Sequence, residues 1–495
     1  MSDQILERSL KFIILLLALI LLAILVIPFT AEAQTTRIFR SVQPGNTGAI
    51  FTSGGSITLT ISGTTATFSS AAPDTIGVGC GIEYDSTGSV SLKALAFITG
   101  RTSSTVFTVQ RFQGGTPASA SATTTWNVRH AYTTLANWDA GTLNTGFTVV
   151  DPDAGNLNID ARNESWWVSL YAGTENNTTS TTTIDGWTTS ADDSIYIYTP
   201  CSTSEVGTSQ RHSGQLTGRC YRITGTTASP VLLFNDDAGT KVTQHIHLDG
   251  IQLSNSGTGA LTGLQGKSEN ASSNFRISNS IFFGSDSVST VGTNHIAIDI
   301  FSASTSAGVW RIWNNIIYGW KTAGATTNEG GIFVRPTPTA GTAYIYNNTV
   351  YKCEVGYKRA TAGTTVTLFN NIANRVADGY NGGFAAASDY NISSLAADQP
   401  ASGANDKTST TVSFTAPNSG DYSLQSGDTA AKNAGTNLSA AANLSFNTDA
   451  ILKIRPETGG TTWDIGALEQ GATGTCGVAA ATDNPTLKRR RAIIQ

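Results

Sequence analysis

The sequence predicts an all-β chain built around a right-handed parallel β-helix solenoid, and three observations carry that expectation. Charged residues make up only 13% of the 495, Gly reaches 50, and Ser, Thr and Asn crowd every segment, which suits short strands joined by tight turns. One kind of segment also recurs: RISNSIFFG from Arg276, RIWNNIIYG from Arg311, YIYNNTVYK from Tyr344, TLFNNIANR from Thr367, and a weaker SDYNISS from Ser388. Aligned on Asn279, Asn314, Asn347, Asn370 and Asn391, these repeats lie 35, 33, 23 and 21 residues apart. A variable period with a floor near one minimal coil, its insertions confined to turns, fits a β-helix and not a propeller or a globular sandwich.

Taken in order, residues 1–33 read as a signal peptide or N-terminal anchor. The run FIILLLALILLAILVIPF (12–29) is uncharged, follows Arg8 and Lys11, and precedes Ala31-Glu32-Ala33, an A-x-A-like cleavage signal. Its length also reaches the lower limit for a spanning helix, about 18 residues, so a retained membrane anchor stays open. Either way the chain is expected to be secreted or held at the cell surface. Residues 34–130 alternate with a period of two, as in SITLTISGTTATF (56–68) and STVFTVQRF (104–112), and are expected to form a small β domain. The stretch AYTTLANW (131–138) has helical spacing and could cap the open end of a solenoid. Residues 131–400 are assigned to the β-helix, with IHLDGIQL (246–253) as an earlier coil of unfixed register. Residues 401–470 are assigned to a closing segment, and 471–495 to a disordered tail ending in Lys488-Arg489-Arg490-Arg491.

Stacked coils sit about 4.8 Å apart, so equivalent residues lie over one another. Ile277, Ile312, Ile345 and Leu368 are therefore expected as an aliphatic column, and Asn279, Asn314, Asn347 and Asn370 as a structural ladder at a bend. Asn tolerates a left-handed backbone, and its amide can bond to the Asn above and below.

These asparagine repeats resemble the pectate-lyase-like superfamily of right-handed parallel β-helix proteins. The C-terminal runs GDYSLQSGDTAAKNAGT (420–436), TDAILKIRP (448–456) and WDIGALE (463–469) resemble the closing region of bacterial surface proteins called choice-of-anchor Q domain proteins. The sequence departs from that pattern at 428–433, where the family has a Ser-Pro and an acidic residue. The resemblance implies a β-helix fold and an extracellular setting; it does not imply a reaction. Arg455, Asp464 and Glu469 in these runs are expected to form a salt bridge that pins the last segment over the final coil.

The net charge of −5 gives no general attraction to nucleic acid, which needs clustered Lys and Arg. The five cysteines include no CxxC, although Cys201 and Cys220 could pair across one loop in an oxidising compartment, and Cys353 reads as a small core residue. His245 and His247 share a strand face, but two ligands do not make a metal site, and no cofactor is expected. Lyases on this fold use a Lys or Arg base near Ca²⁺ or Arg. Lys352 and Arg375, each five residues after its repeat Asn, are the catalytic candidates, with Tyr318, Trp320 and Tyr351 nearby to stack on sugars. Ca²⁺ enters only under that alternative. Glycosidase chemistry needs two facing carboxylates, and the aligned segments contain only Asp389. The functional expectation is a non-catalytic solenoid binding an extracellular polysaccharide or cell-surface partner. The alternatives are a polysaccharide lyase acting on uronate-containing glycans and a structural component of an extracellular filament.

Overall fold

The computed structural model describes residues 35–472, apart from 153, 178–180, 217, 227–229, 236–244, 256–261, 269–271, 285–294, 303–307, 322–329, 337–340, 361–362 and 401–402. The N-terminal apolar run and the basic cluster of the tail lie outside the described residues.

The chain winds into a right-handed parallel β-helix whose coils each contribute one strand to three long parallel sheets. Sheet 1 stacks Thr36–Val42, Glu164–Leu170, Ile195–Tyr198, His245–Asp249, Asn274–Ser278, Val309–Trp313, Thr342–Tyr346 and Thr365–Phe369. Sheet 2 runs from Gly173–Asn177 to Ile392–Ser393, and sheet 3 from Thr182–Ile184 to Asp378–Asn381. Strict register explains the core. Val168, Ile197, Leu248, Ile277, Ile312, Ile345 and Leu368 face inward one above the other, at most 1% exposed, which extends the expected aliphatic column to earlier coils.

Sheet 1 passes into sheet 2 through a two-residue bend, except in the coil where residues 199–220 intervene. From the 246–253 coil onward the first bend residue is left-handed: Gly250 (φ 80°), Asn279 (52°), Asn314 (56°), Asn347 (53°) and Asn370 (56°). Gly or Asn adopts this backbone at least cost, which explains the choice of residue and fixes the register of the 246–253 coil. Asn314 Nδ2 donates to Asn279 Oδ1, and Asn370 Nδ2 to Asn347 Oδ1, each at 3.1 Å. The second bend residue forms a deeper column, in which Asn315, Asn348, Asn371 and Asn391 are linked amide to amide at 3.0–3.1 Å. Each Oδ1 of Asn348, Asn371 and Asn391 also accepts the backbone N–H of the residue one coil earlier. Asn391 therefore belongs one position later than the sequence alignment placed it, and Tyr390 (φ 61°) occupies the bend. Because the repeats carry two consecutive Asn residues, a one-residue slip still puts an Asn in the aligned position.

The segment from residue 34 to 130 divides in two. Thr36–Val42 pairs parallel with Glu164–Leu170 as the first rung of sheet 1, whereas the strands from Phe51–Thr52 to Trp126–Arg129 form a separate eight-stranded antiparallel sheet. That sheet has its own core, which includes Leu59, Ile61, Phe68, Phe107 and Trp126. The open end of the solenoid is sealed by the helix Leu135–Asp139. Thr134 caps it, and Trp138 stacks on Trp187 with ring centroids 4.8 Å apart. Beside it Arg40, buried at an inward position, pairs with Asp151 at 2.6 Å and lies 3.6 Å from the Phe97 ring centroid.

The closing segment is not confined to the final coil. After Lys407 bridges to Ile392, it runs back along the outside of the stack. Asn370, Asn347 and Asn314 donate their amides to Thr436 O, Asp464 O and Thr448 O in turn. The cause is the outward face of sheet 2, where Ile281, Ile316, Tyr351, Ile372 and Ile392 form an apolar strip that Val412, Phe414, Tyr422, Ile465 and Leu468 cover. The expected salt bridge forms between Arg455 and Glu469 at 2.7 Å, both side chains fully buried. Asp464 instead accepts the backbone N–H groups of Asn433 and Gln470.

Candidate functional site

The register does place Lys352 over Arg375, because Tyr351 pairs with Asn374 immediately before them. Both occupy left-handed corner positions (φ 51° and 54°) between sheets 2 and 3, in the column that Gly319 holds one coil earlier, and not strand positions. The Arg375 guanidinium lies over the Tyr351 ring, 5.7 Å from its centroid. The aromatic residues expected beside them to stack on sugars are largely unavailable. Trp320 is in the solenoid interior, and Tyr351 is covered by Phe414 and Tyr422 of the returning segment; both are at most 2% exposed. Tyr318 is half-buried between Phe283 and Tyr422. Packing against a distant segment, which the local sequence does not reveal, removes Tyr351 and part of Tyr318 from solvent.

The outward face of sheet 1 differs. Phe39, Trp167, Tyr196, His247, Arg276, Arg311 and Tyr344 fall in one axial row, one residue per coil, and all are half-buried. Alternation along each strand turns these side chains outward while their neighbours enter the core. Centroids are 5.9 Å apart for Phe39–Trp167 and 4.8 Å for both Trp167–Tyr196 and Tyr196–His247, so the rings form a continuous strip. Arg311 sits over the Tyr344 ring at 5.8 Å.

Asp249 lies beneath the middle of this strip, 1% exposed. It accepts from Tyr196 Oη at 3.0 Å, Ser278 Oγ at 2.9 Å and Asn279 Nδ2 at 2.6 Å, and pairs with Arg211. Burial works against its charge, but the Arg211 cation and the hydrogen bonds from Asn279 and Ser278 hold its carboxyl below the ordinary value. Ser278 Oγ is in turn 2.8 Å from His247 Nε2. Burial pushes the His247 pKa down to about 3 against the pull of Asp249, so the ring is neutral near pH 7.

On sheet 3, buried Asp299 takes Arg335 Nε and Gln265 Nε2, each at 2.8 Å. A shallow cavity of about 380 Å³ is lined mostly by hydroxyls, Ser103, Ser104, Thr203 and Ser204 among them, around the Arg101–Asp74 pair. Among the described residues, no three His, Cys, Asp or Glu side chains converge to hold a metal, and no helix is long and apolar enough to cross a membrane. Cys201 is disulfide-bonded but Cys220 is a buried free thiol, so the two do not pair with each other; Cys353 is a buried free thiol as well.

The sheet 1 row escaped the sequence reading. Its signal is present in IYIY, HIHL and YIY, which carry aromatic rings at alternate positions, and in WWVSL, where only the second Trp faces outward, but insertions of unequal length between coils hide their register.

Fold and site together define an all-β solenoid with one aromatic lateral face. No protein-family model, no curated protein and no solved structure matches the chain.

Proposed function

We propose that this is an exported, non-catalytic β-helix that binds an extracellular glycan along the outward face of sheet 1. The row Phe39, Trp167, Tyr196 and His247 carries the reading. Rings that recur once per coil, with centroids 4.8–5.9 Å apart, offer a linear polysaccharide a repeated stacking surface along the solenoid axis. The nearest carboxylate, Asp249, is bound by four partners and supports the platform rather than facing the solvent. The apolar run before Ala31-Glu32-Ala33 supports export. The resemblance of the closing segment to choice-of-anchor Q proteins, and of the coils to the pectate-lyase-like superfamily, supports placement at a bacterial cell surface.

Affinity electrophoresis of residues 34–495 in gels containing xylan, β-glucan or polygalacturonate tests this. Retardation that Trp167→Ala weakens at least ten-fold supports the reading; migration unaffected by every polymer overturns it.

The stacking of Lys352 on Arg375 keeps the lyase alternative open. Absorbance of unsaturated uronate product, formed with Ca²⁺ and lost in Lys352→Ala, would establish it. Assembly into a filament through strand edges is disfavoured at the C-terminal end, where Asp398 accepts the N–H groups of Gly379 and Tyr380 at 2.8 and 3.0 Å and so blocks the last strand of sheet 3.

A further inference from the structure

The hydrogen bonds around Asp249 determine where the His247 proton lies. An ionised carboxylate can only accept, so Ser278 Oγ, 2.9 Å from Asp249 Oδ1, donates its single proton there. The same oxygen is 2.8 Å from His247 Nε2 and has only lone pairs left to offer, so Nε2 carries the imidazole proton. In a neutral ring Nδ1 is then an acceptor. The ring is half-buried, with Tyr196 4.8 Å away on one side and Trp313 5.1 Å away on the other. Tyr196 Oη is bound to the same Asp249. One buried carboxylate therefore orients two successive members of the row and leaves a fixed acceptor between flat apolar surfaces.

We propose that His247 Nδ1 is the specificity-determining contact of this face, selecting a sugar that presents a free hydroxyl over one whose equivalent position is acylated, alkylated or a carboxylate. A carboxylate or an ester places acceptor against acceptor, whereas a hydroxyl donates. Ser278 and Asp249 are positioning residues that fix the tautomer. The inference rests on the glycan reading of the sheet 1 face and names the chemistry that the face accepts.

The experiment has two arms. Histidine-selective ¹⁵N labelling reads the tautomer directly, with His247→Ala assigning the signal among the five histidines. Protonated Nε2 and bare Nδ1 are expected, and Ser278→Ala should move the signal toward a tautomer mixture. Protonated Nδ1 in the wild type overturns the proposal. The second arm compares affinity for unsubstituted xylan, O-acetylated xylan and polygalacturonate. The wild type should prefer the unsubstituted polymer. His247→Ala should bind it about five- to ten-fold more weakly, the effect of losing one neutral hydrogen bond, and should lose the preference. Wild-type binding with the preference intact in His247→Ala removes the inference and leaves the glycan reading standing. Absence of wild-type binding to all three polymers, and to β-glucan, removes both.

Discussion

Replacing Arg455 by Met should loosen the returning segment without unwinding the solenoid. The guanidinium is fully buried and bonds to Glu469 Oε2 at 2.7 Å, Gly466 O at 2.8 Å, Asp464 O at 3.2 Å and Thr448 O at 3.3 Å. Met fills similar volume but leaves the Glu469 carboxylate buried without its cation, a loss of about 3–5 kcal/mol for a broken buried pair. Long repeat arrays need not unfold in one step, so a global denaturation midpoint is the wrong measure. Native-state hydrogen exchange at Ile465 and Gly466, whose amides bond to Ala431 O and Asn370 O at 2.9 and 2.8 Å, reads the local opening. A loss of 3 kcal/mol is about two decades of faster exchange there, with Ile345 inside the core unchanged. Glu469→Gln alone should cost less, since its amide oxygen still accepts, and Arg455→Met combined with Glu469→Gln should recover at least about one decade through coupling between touching residues. Exchange in Arg455→Met within three-fold of wild type, or a double variant that behaves as the sum of the two, would refute the argument.

Arg375→Gly should leave stability unchanged or raise it by up to about 1 kcal/mol, because φ 54° suits Gly, while Arg375→Val should lower it; chemical denaturation followed by circular dichroism ranks the two. His130 is buried, its Nε2 makes no hydrogen bond, and burial lowers its pKa from 6.5 to about 3. The unfolded chain therefore takes up its proton first, so this contribution is present above pH 6.5 and is lost as pH falls from 6.5 toward 3. His130→Gln should flatten the stability profile in that window, and an unchanged slope counts against the assignment. Asp464 acts in the opposite sense: burial raises its pKa to about 6, so its contribution is full below 3.8 and lost as pH rises through 6, and Asp464→Asn should remove that part of the profile. Cys80, Cys220 and Cys353 are buried free thiols, and burial raises the first two to about 11, so a maleimide should label none of the three in native protein and all of them in denaturant.

The solenoid was legible because stacking imposes identical demands on every coil, and the repeats around Asn279, Asn314, Asn347 and Asn370 show those demands in plain residues. The 131–138 stretch revealed its cap for a related reason: Leu135 and Trp138, three apart, share one helix face and are the helix residues that are buried. What stayed hidden depends on contacts between distant segments. Tyr351 looks like a surface aromatic until Phe414 and Tyr422 cover it, and Thr36–Val42 looks like part of the neighbouring β domain until it pairs with Glu164–Leu170. The candidate face was illegible for the opposite reason, since Trp167, Tyr196 and His247 become neighbours only when coils of unequal length stack.

A stack of coils held only by its sheets resembles a coiled spring, in which a tug on one end is met by the first turn alone. The returning segment changes that mechanical behaviour, because its bonds to Asn370, Asn347 and Asn314 rivet three successive turns to one outer brace. A load applied along the axis is then shared by several turns in parallel, and the first rupture should come in coils that these three bonds do not tie.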